Sequence, residues 1–171
     1  MEIANKQGKP FYSFVSEILG YALKVYNSGR SLGEVVEFHE FMDVYRALGA
    51  KIVSNEAFSY LISKSYPKDG AVLREKWHEF GRLCGKSLFS KYSNPIDILE
   101  KFLTTAEWEL NEISVNGEKG NVKIRCVSSV LTAESTELFA KFVEGLMSEL
   151  GYKVVRQDYL KGIISMELLK T

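Results

Sequence analysis

The first fifty residues alternate apolar and polar side chains with the period of an α-helix. Apolar residues recur at three- and four-residue spacing over Phe11–Tyr26, and the same spacing returns over residues 31–48. This spacing places the apolar side chains on one face of each helix. Ser31 and Glu34 match a capping box at the second helix start, and Gly49 follows its end. The pattern predicts an N-terminal helical extension over residues 1–50.

Three more helices are predicted before the pattern changes. Ser54 begins a short helix that the Pro-Lys-Asp-Gly sequence at residues 67–70 ends. A long helix follows over about residues 71–92, with apolar side chains along one stripe. Asn94 and Pro95 then supply a capping residue and a first-turn proline for a helix that reaches about residue 103.

From residue 108 the apolar residues alternate with a period of two, which is typical of half-buried strands. A shift of the apolar positions within residues 108–115 indicates a bulge. The other expected elements are a hairpin loop at 116–121, a strand at 122–130, a helix at 134–150 and a hairpin of strands at 152–158 and 163–169. The predicted fold class is therefore α+β. Residues 51–171 form one domain in which helices pack on a four-stranded antiparallel sheet, with a ββαββ unit at its C-terminal end.

Three stretches of this second part carry a family-like pattern. Residues 56–61 read EAFSYL, residues 73–88 read LREKWHEFGRLCGKSL, and the chain ends in the hairpin VVRQDYLKG followed by ISMEL. Over about residues 53–169 the chain resembles the 4-vinyl-reductase domain family and the related Bet-type subunits of the TRAPP vesicle-tethering complex. The resemblance implies a domain that pairs with other subunits through helices, or one that holds a small apolar ligand between its helices and its sheet.

Two glycines in the second stretch have a physical reason of their own. Gly81 and Gly85 lie one turn apart in a predicted helix, where each costs about 1 kcal/mol relative to alanine. Their absence of side chains leaves one helix face open to the close approach of another backbone. We therefore expect a second element to pack tightly at this face.

The chain departs from the family in its cysteines. Many 4-vinyl-reductase domains carry two cysteines around the final glycine, whereas Gly162 has Tyr159, Leu160 and Met166 near it. The acylated cysteine of a TRAPP subunit follows the Gly-x-x-x-Gly helix, and residues 91–95 here contain none. Neither metal chemistry nor acylation is therefore carried over from the resemblance.

Charge and composition limit the classes of partner. The 171 residues contain 22 Lys plus Arg and 22 Asp plus Glu, without a basic cluster of the kind that binds nucleic acid. A helix–turn–helix over residues 34–65 is a less favoured alternative, a DNA-binding regulator, because its second helix contains no arginine. Residues 1–6 lack the pattern of a signal peptide, and no apolar run reaches the about 18–20 residues of a membrane span. We expect a cytoplasmic protein with no membrane span.

Candidate chemistry is sparse. The soft metal ligands are His39, His78, Cys84 and Cys126, and their spacing does not match a four-ligand zinc site. Both cysteines fall on apolar stripes, so we expect them to be buried as small hydrophobic residues. The acidic pair Glu107 and Glu109, beside a strand start, is expected to face water. With no nucleophile motif or phosphate loop, we expect no catalytic residues, no metal and no cofactor.

Two functions therefore compete. The first is a non-enzymatic, homodimeric assembly module, because the N-terminal helices have wide apolar faces that suit a second copy. The alternative is a sensor or carrier of a small hydrophobic ligand, with Trp77, Phe80 and Trp108 lining the pocket that the resemblance implies. Whether residues 1–50 pack on their own domain or exchange between subunits stays open from sequence.

Overall fold

A computed structural model describes residues 2–92, 94–107, 109–118 and 120–171. These residues form six helices and four strands, which confirms the predicted α+β class. The helices are α1 (Glu2–Lys6), α2 (Phe11–Asn27), α3 (Leu32–Ala47), α4 (Asn55–Phe89), α5 (Pro95–Ala106) and α6 (Ala133–Ser148). The strands are β1 (Glu112–Glu118), β2 (Asn121–Val127), β3 (Tyr152–Leu160) and β4 (Ile163–Lys170). The described residues include no helix that is long and apolar enough to cross a membrane.

The four strands form one antiparallel sheet in the order β1-β2-β4-β3. Side chains on one face are buried, and those on the other face are mostly exposed. In β2, for example, Ile124 and Cys126 are buried while Lys123 and Arg125 are exposed. Ile124 lies opposite Met166 of β4, which is also buried. Helices therefore cover one face of the sheet, as the alternating pattern predicts.

The first hairpin differs in detail from its prediction. β1 begins at Glu112 rather than at residue 108, and its pairing with β2 runs out to Glu118 and Asn121. The predicted loop at 116–121 is therefore too long, because ladder hydrogen bonds continue through Asn116 and Gly117. The register irregularity falls in β3, between Val154 and Arg156, and not in β1.

The predicted break at residues 67–70 appears as a sharp kink within α4. Helical hydrogen bonding continues past Pro67, but Asp69 has non-helical dihedral angles of φ −118° and ψ 18°. The rings of Phe58 and Trp77 lie 6.0 Å apart, whereas a straight helix would separate these positions by about 28 Å. The first part of α4 therefore folds back on the second.

The predicted close approach at Gly81 and Gly85 is confirmed, and the second element is α6. A Cβ added at Gly81 would lie 2.1 Å from the carbonyl oxygen of Phe142, and one at Gly85 would lie 2.8 Å from that of Leu146. Gly145 of α6 completes the contact from the other side, since a Cβ there would lie 2.0 Å from the carbonyl oxygen of His78. The two helix backbones touch directly at this crossing.

The chain divides into two compact units, an N-terminal unit ending at Glu40 and a C-terminal unit over Phe41–Thr171. The predicted division after residue 50 stays a prediction. In the N-terminal unit the capping box is confirmed, because Ser31 N donates to Glu34 at 2.6 Å and Glu34 N donates to Ser31 Oγ at 3.2 Å. The core of the C-terminal unit lies between α4, α5, α6 and the inner face of the sheet.

Candidate functional site

A tyrosine and a carboxylate meet inside the C-terminal unit. The hydroxyl of Tyr45, near the end of α3, donates a hydrogen bond to Oε1 of Glu107, which follows α5. The Tyr45 ring stacks on Phe80, with centroids 6.0 Å apart, and packs on Phe102 at 5.4 Å. A polar contact is thus enclosed by aromatic rings between the helices.

The position of Glu107 follows from the periodicity of α5. Leu99 and Leu103 are fully buried, and Glu107 comes four residues after Leu103 on the same inward face. Its backbone N–H donates to the carbonyl oxygen of Leu103 at 3.3 Å, which extends the helical turn to this residue. The carboxylate therefore points along the buried side of the helix.

Glu109 is held beside this site by the start of the sheet. Its carbonyl oxygen accepts a hydrogen bond of 2.6 Å from Ser128 Oγ, and Asn111 N donates to Val127 O at 2.7 Å. Oε2 of Glu109 is buried without a hydrogen-bond partner among the residues that the structure describes. The expectation that Glu107 and Glu109 face water is therefore wrong, because α5 and the backbone bonds to β2 turn both side chains inward.

Burial changes the acidity of this group of residues. It raises the pKa of Glu107 to about 7, since the hydrogen bond from Tyr45 lowers that pKa by less than burial raises it, and the nearby Glu109 raises it further. Burial also raises the pKa of Glu109, and it raises the pKa of Tyr45 well above its ordinary value, with the charge of Glu107 adding to the effect. At neutral pH, Glu107 therefore exchanges a proton while Tyr45 keeps its own.

The two cysteines behave as predicted. Cys84 and Cys126 are free and buried. Burial, with the charge of Glu107 as a second cause, raises the pKa of each thiol to about 12. Such thiols are poor nucleophiles and poor metal ligands at neutral pH. Among the described residues, no cluster of His, Cys, Asp and Glu side chains is arranged to hold a metal ion.

Two of the three residues predicted to line a ligand pocket are described by the structure. Trp77 is half-buried against Phe58, and Phe80 stacks between Tyr45 and Phe142, at 6.0 Å and 5.8 Å. Trp108 lies outside the described residues. Trp77 and Phe80 both pack against the core, and neither lines the surface hollows of about 310 Å³ and 270 Å³. The ligand pocket stays a prediction.

A second candidate site lies on the surface of α2. No residue of this helix, all of which the structure describes, is buried. Five apolar side chains repeat with the alternating three- and four-residue spacing of a coiled-coil seam. These residues are Tyr12, Val15, Leu19, Ala22 and Tyr26, and they are here called the α2 seam. The largest of them are strongly exposed, with Tyr12 at 85%, Leu19 at 57% and Tyr26 at 58%.

Comparisons with known proteins add little to this geometry. No protein-family model matches the chain. No curated protein matches it either. One similar solved structure is described as "Probing the function of heme distortion in the H-NOX family", with 14% sequence identity. The match covers 80% of this chain and 84% of that chain at a TM-score of 0.42, a level at which the likeness carries no argument about function.

Proposed function

We propose that the chain is a non-enzymatic assembly module that forms a homodimer, in which the α2 seam of one copy packs against the α2 seam of a second. In this proposal residues of about 53–169 are the part that resembles 4-vinyl-reductase domains and Bet-type TRAPP subunits, and members of these families pair through helices. The observation that carries the proposal is the apolar seam on a helix with no buried residue.

The α2 seam exposes a row of large apolar side chains to water. A helix whose apolar face is this wide normally packs against another element. Each large side chain that passes from water into a helix–helix contact contributes on the order of 1 kcal/mol. Tyr12, Leu19 and Tyr26 from two copies then supply about 6 kcal/mol, before the cost of association is subtracted. Even without that cost, about 6 kcal/mol corresponds to a dissociation constant of roughly 40 µM, so a weak dimer is expected, at tens of micromolar or above.

The chemistry of α2 favours a second copy as the occupant. Its charged residues, Glu17 and Lys24, lie on the side of the helix opposite the seam, so pairing through the seam buries no charge. Large residues alternate along the seam with the smaller Val15 and Ala22. In an antiparallel pair of helices, Tyr12 can therefore lie opposite Ala22 and Leu19 opposite Val15.

A membrane surface is a poorer match for the same helix. Helices that lie on membranes carry Lys and Arg along their polar face, which attract anionic lipid headgroups. α2 contains one lysine, Lys24, and no arginine. Its polar face has serine residues instead, at Ser13 and Ser16. A protein partner of low charge therefore fits the helix better than a lipid surface does.

The test is the mass of the full chain in solution, measured by native mass spectrometry and by light scattering over about 5–200 µM. The wild-type protein is expected to dimerise as its concentration rises. Leu19→Lys places a charge in the seam and is expected to give a monomer, whereas Ser13→Lys adds the same charge to the opposite face and leaves the dimer intact. Circular dichroism checks that both variants retain their helices.

Two outcomes would count against the proposal. A monomer at every concentration excludes dimerisation through α2, and a Leu19→Lys variant that still dimerises excludes the seam as the interface. A bound mass of a few hundred daltons that is lost on denaturation would instead favour the alternative of a small hydrophobic ligand.

A further inference from the structure

A second apolar row runs along α2 beside the α2 seam. Its five side chains repeat with the same alternating three- and four-residue spacing, and each comes one residue before a member of the seam. These residues are Phe11, Phe14, Ile18, Tyr21 and Val25, and they are here called the second stripe. Phe11, Ile18 and Tyr21 are exposed, at 44%, 47% and 59%. α2 therefore exposes more apolar surface than pairing through one seam would cover.

The angle between the two rows indicates the kind of assembly. Successive residues of an α-helix are about 100° apart around its axis, so the α2 seam and the second stripe face directions about 100° apart. A two-stranded coiled coil uses one seam, whereas each helix of a closed ring contacts two neighbours. The directions to those neighbours differ by about 60° in a ring of three helices, about 90° in a ring of four and about 108° in a ring of five. The two rows therefore match a ring of four or five helices.

The antiparallel pairing that the large and small seam residues favour selects the ring of four. The two-fold axis of an antiparallel pair is perpendicular to the plane of the two helices, so the second stripes of both helices lie on the same side of the dimer. Helices that alternate in direction close only into a ring with an even number of members. Neither row contains a charged residue, since Glu17 and Lys24 lie outside both. The dimer thus has one uncharged apolar face with which a second dimer can pair.

We propose that two seam dimers pair face to face through their second stripes, so that four α2 helices from four copies of the chain form an antiparallel bundle. This tetramer rests on the proposed dimer and extends it. A single stripe contact is weaker than a seam contact, because the exposed side chains of the stripe have less surface in water than those of the seam. Two dimers, however, meet through two stripe contacts at once, and the second contact forms within a complex that the first already holds together. Loss of the seam therefore leaves monomers, whereas loss of the stripe leaves dimers.

The mass of the full chain in solution tests the tetramer, over the concentration range used for the dimer. Sedimentation velocity and light scattering of the wild-type protein are expected to reach the mass of four chains of 19.4 kDa. Ile18→Lys places a charge in the second stripe and is expected to halve the largest mass, to that of two chains. Ser13→Lys adds the same charge outside both rows and should reach the mass of four chains, as the wild type does. Circular dichroism checks the helix content of both variants.

Failure of the tetramer is distinguishable from failure of the dimer. A wild-type protein that reaches the mass of two chains and no more overturns the second stripe as an interface, while the dimer stands. An Ile18→Lys variant that still reaches four chains overturns it too, and a wild-type monomer at every concentration overturns both. If Ile18→Lys loses helix content, Tyr21→Ser removes the most exposed side chain of the stripe instead, and the mass of two chains is again expected. A mass of four chains for that variant would overturn the proposal.

Discussion

Gly145 of α6 lies against the backbone of His78 in α4, so closely that a Cβ at residue 145 would lie 2.0 Å from the carbonyl oxygen of residue 78. Gly81 approaches Phe142 in the same way from the other helix. The α4–α6 crossing is therefore possible only because these positions carry no side chain. Any side chain here must push two helix backbones apart, because the obstructing atoms belong to the main chain.

Gly145→Ala is expected to destabilise the protein by about 2 kcal/mol or more, because the cost of overpacking exceeds the gain in helix propensity. The free energy of unfolding, measured with urea, checks this value. Gly20→Ala in α2 is the matched control, since nothing lies within 4 Å of a Cβ at that position. That control should be neutral or more stable by up to about 1 kcal/mol. Equal effects of the two changes would contradict the close crossing.

The sequence reveals one side of this crossing and not the other. Gly81 and Gly85 are four residues apart in a long apolar helix, and that spacing predicts a close contact without the structure. Gly145 is a single glycine in its helix, and a single glycine has no spacing from which to infer a packing role. The pairing of α4 with α6 depends on the tertiary fold, so it cannot be predicted from the sequence of either helix alone.

The sequence does not predict the inward position of Glu107, and the reason is different. Glu107 lies at a junction where a helical period ends and a strand period has not begun, so neither pattern assigns it a side. The signal was the four-residue spacing from Leu99 through Leu103 to Glu107, which continues the inward face of α5. The interaction with Tyr45, 62 residues away along the chain, follows only from the tertiary fold.

Glu107 is expected to make the global stability depend on pH. Its pKa is about 7 in the folded protein and has the ordinary value of 4.5 after unfolding, so the folded state binds the proton more tightly. Stability contributed by the neutral group is therefore complete below about pH 4.5 and is lost as the pH rises through 7. The loss is at most about 3 kcal/mol.

Urea unfolding of wild type and Glu107→Gln at pH 5 and pH 8 measures this contribution. The variant should gain stability relative to wild type between pH 5 and pH 8, because glutamine does not ionise. Subtracting the unfolding free energies of the two proteins removes the contribution of the titratable groups that both share. A difference in unfolding free energy that is the same at both pH values would show that Glu107 does not titrate in this range.

The buried thiols are expected to resist alkylation in the folded protein. With the pKa of Cys84 and of Cys126 raised to about 12, only about one thiol in ten thousand is ionised at pH 8. Labelling with iodoacetamide at pH 8 should therefore be at least about 100-fold slower than for a free thiol, and complete after denaturation. Ser165→Cys, on the exposed face of β4, is the control and should react quickly. Rapid labelling of either native cysteine would contradict its burial.

The turn of the final hairpin is hydrogen-bonded to α6 through one hydroxyl group. Gly162 N donates a hydrogen bond of 2.8 Å to Thr136 Oγ1, and that hydroxyl donates to the carbonyl oxygen of Thr132 at 2.6 Å. Gly162 also accepts from Ser128 N at 2.7 Å, with φ +74°, and a Cβ there would lie 2.1 Å from the carbonyl oxygen of Ser128. The turn between β3 and β4 therefore depends on a buried polar contact that an apolar side chain cannot replace.

Thr136→Val keeps the shape of the side chain but leaves the buried N–H of Gly162 without a partner, and is expected to cost about 1–3 kcal/mol. Thr136→Ser retains the hydroxyl and loses one methyl group, so its cost should be smaller, about 1 kcal/mol. Thermal and urea unfolding measure both, and hydrogen exchange at Gly162 should quicken in the valine variant only. If valine proves no more costly than serine, the hydroxyl does not hold the turn, and packing of the methyl group against the core is what fastens the hairpin to α6.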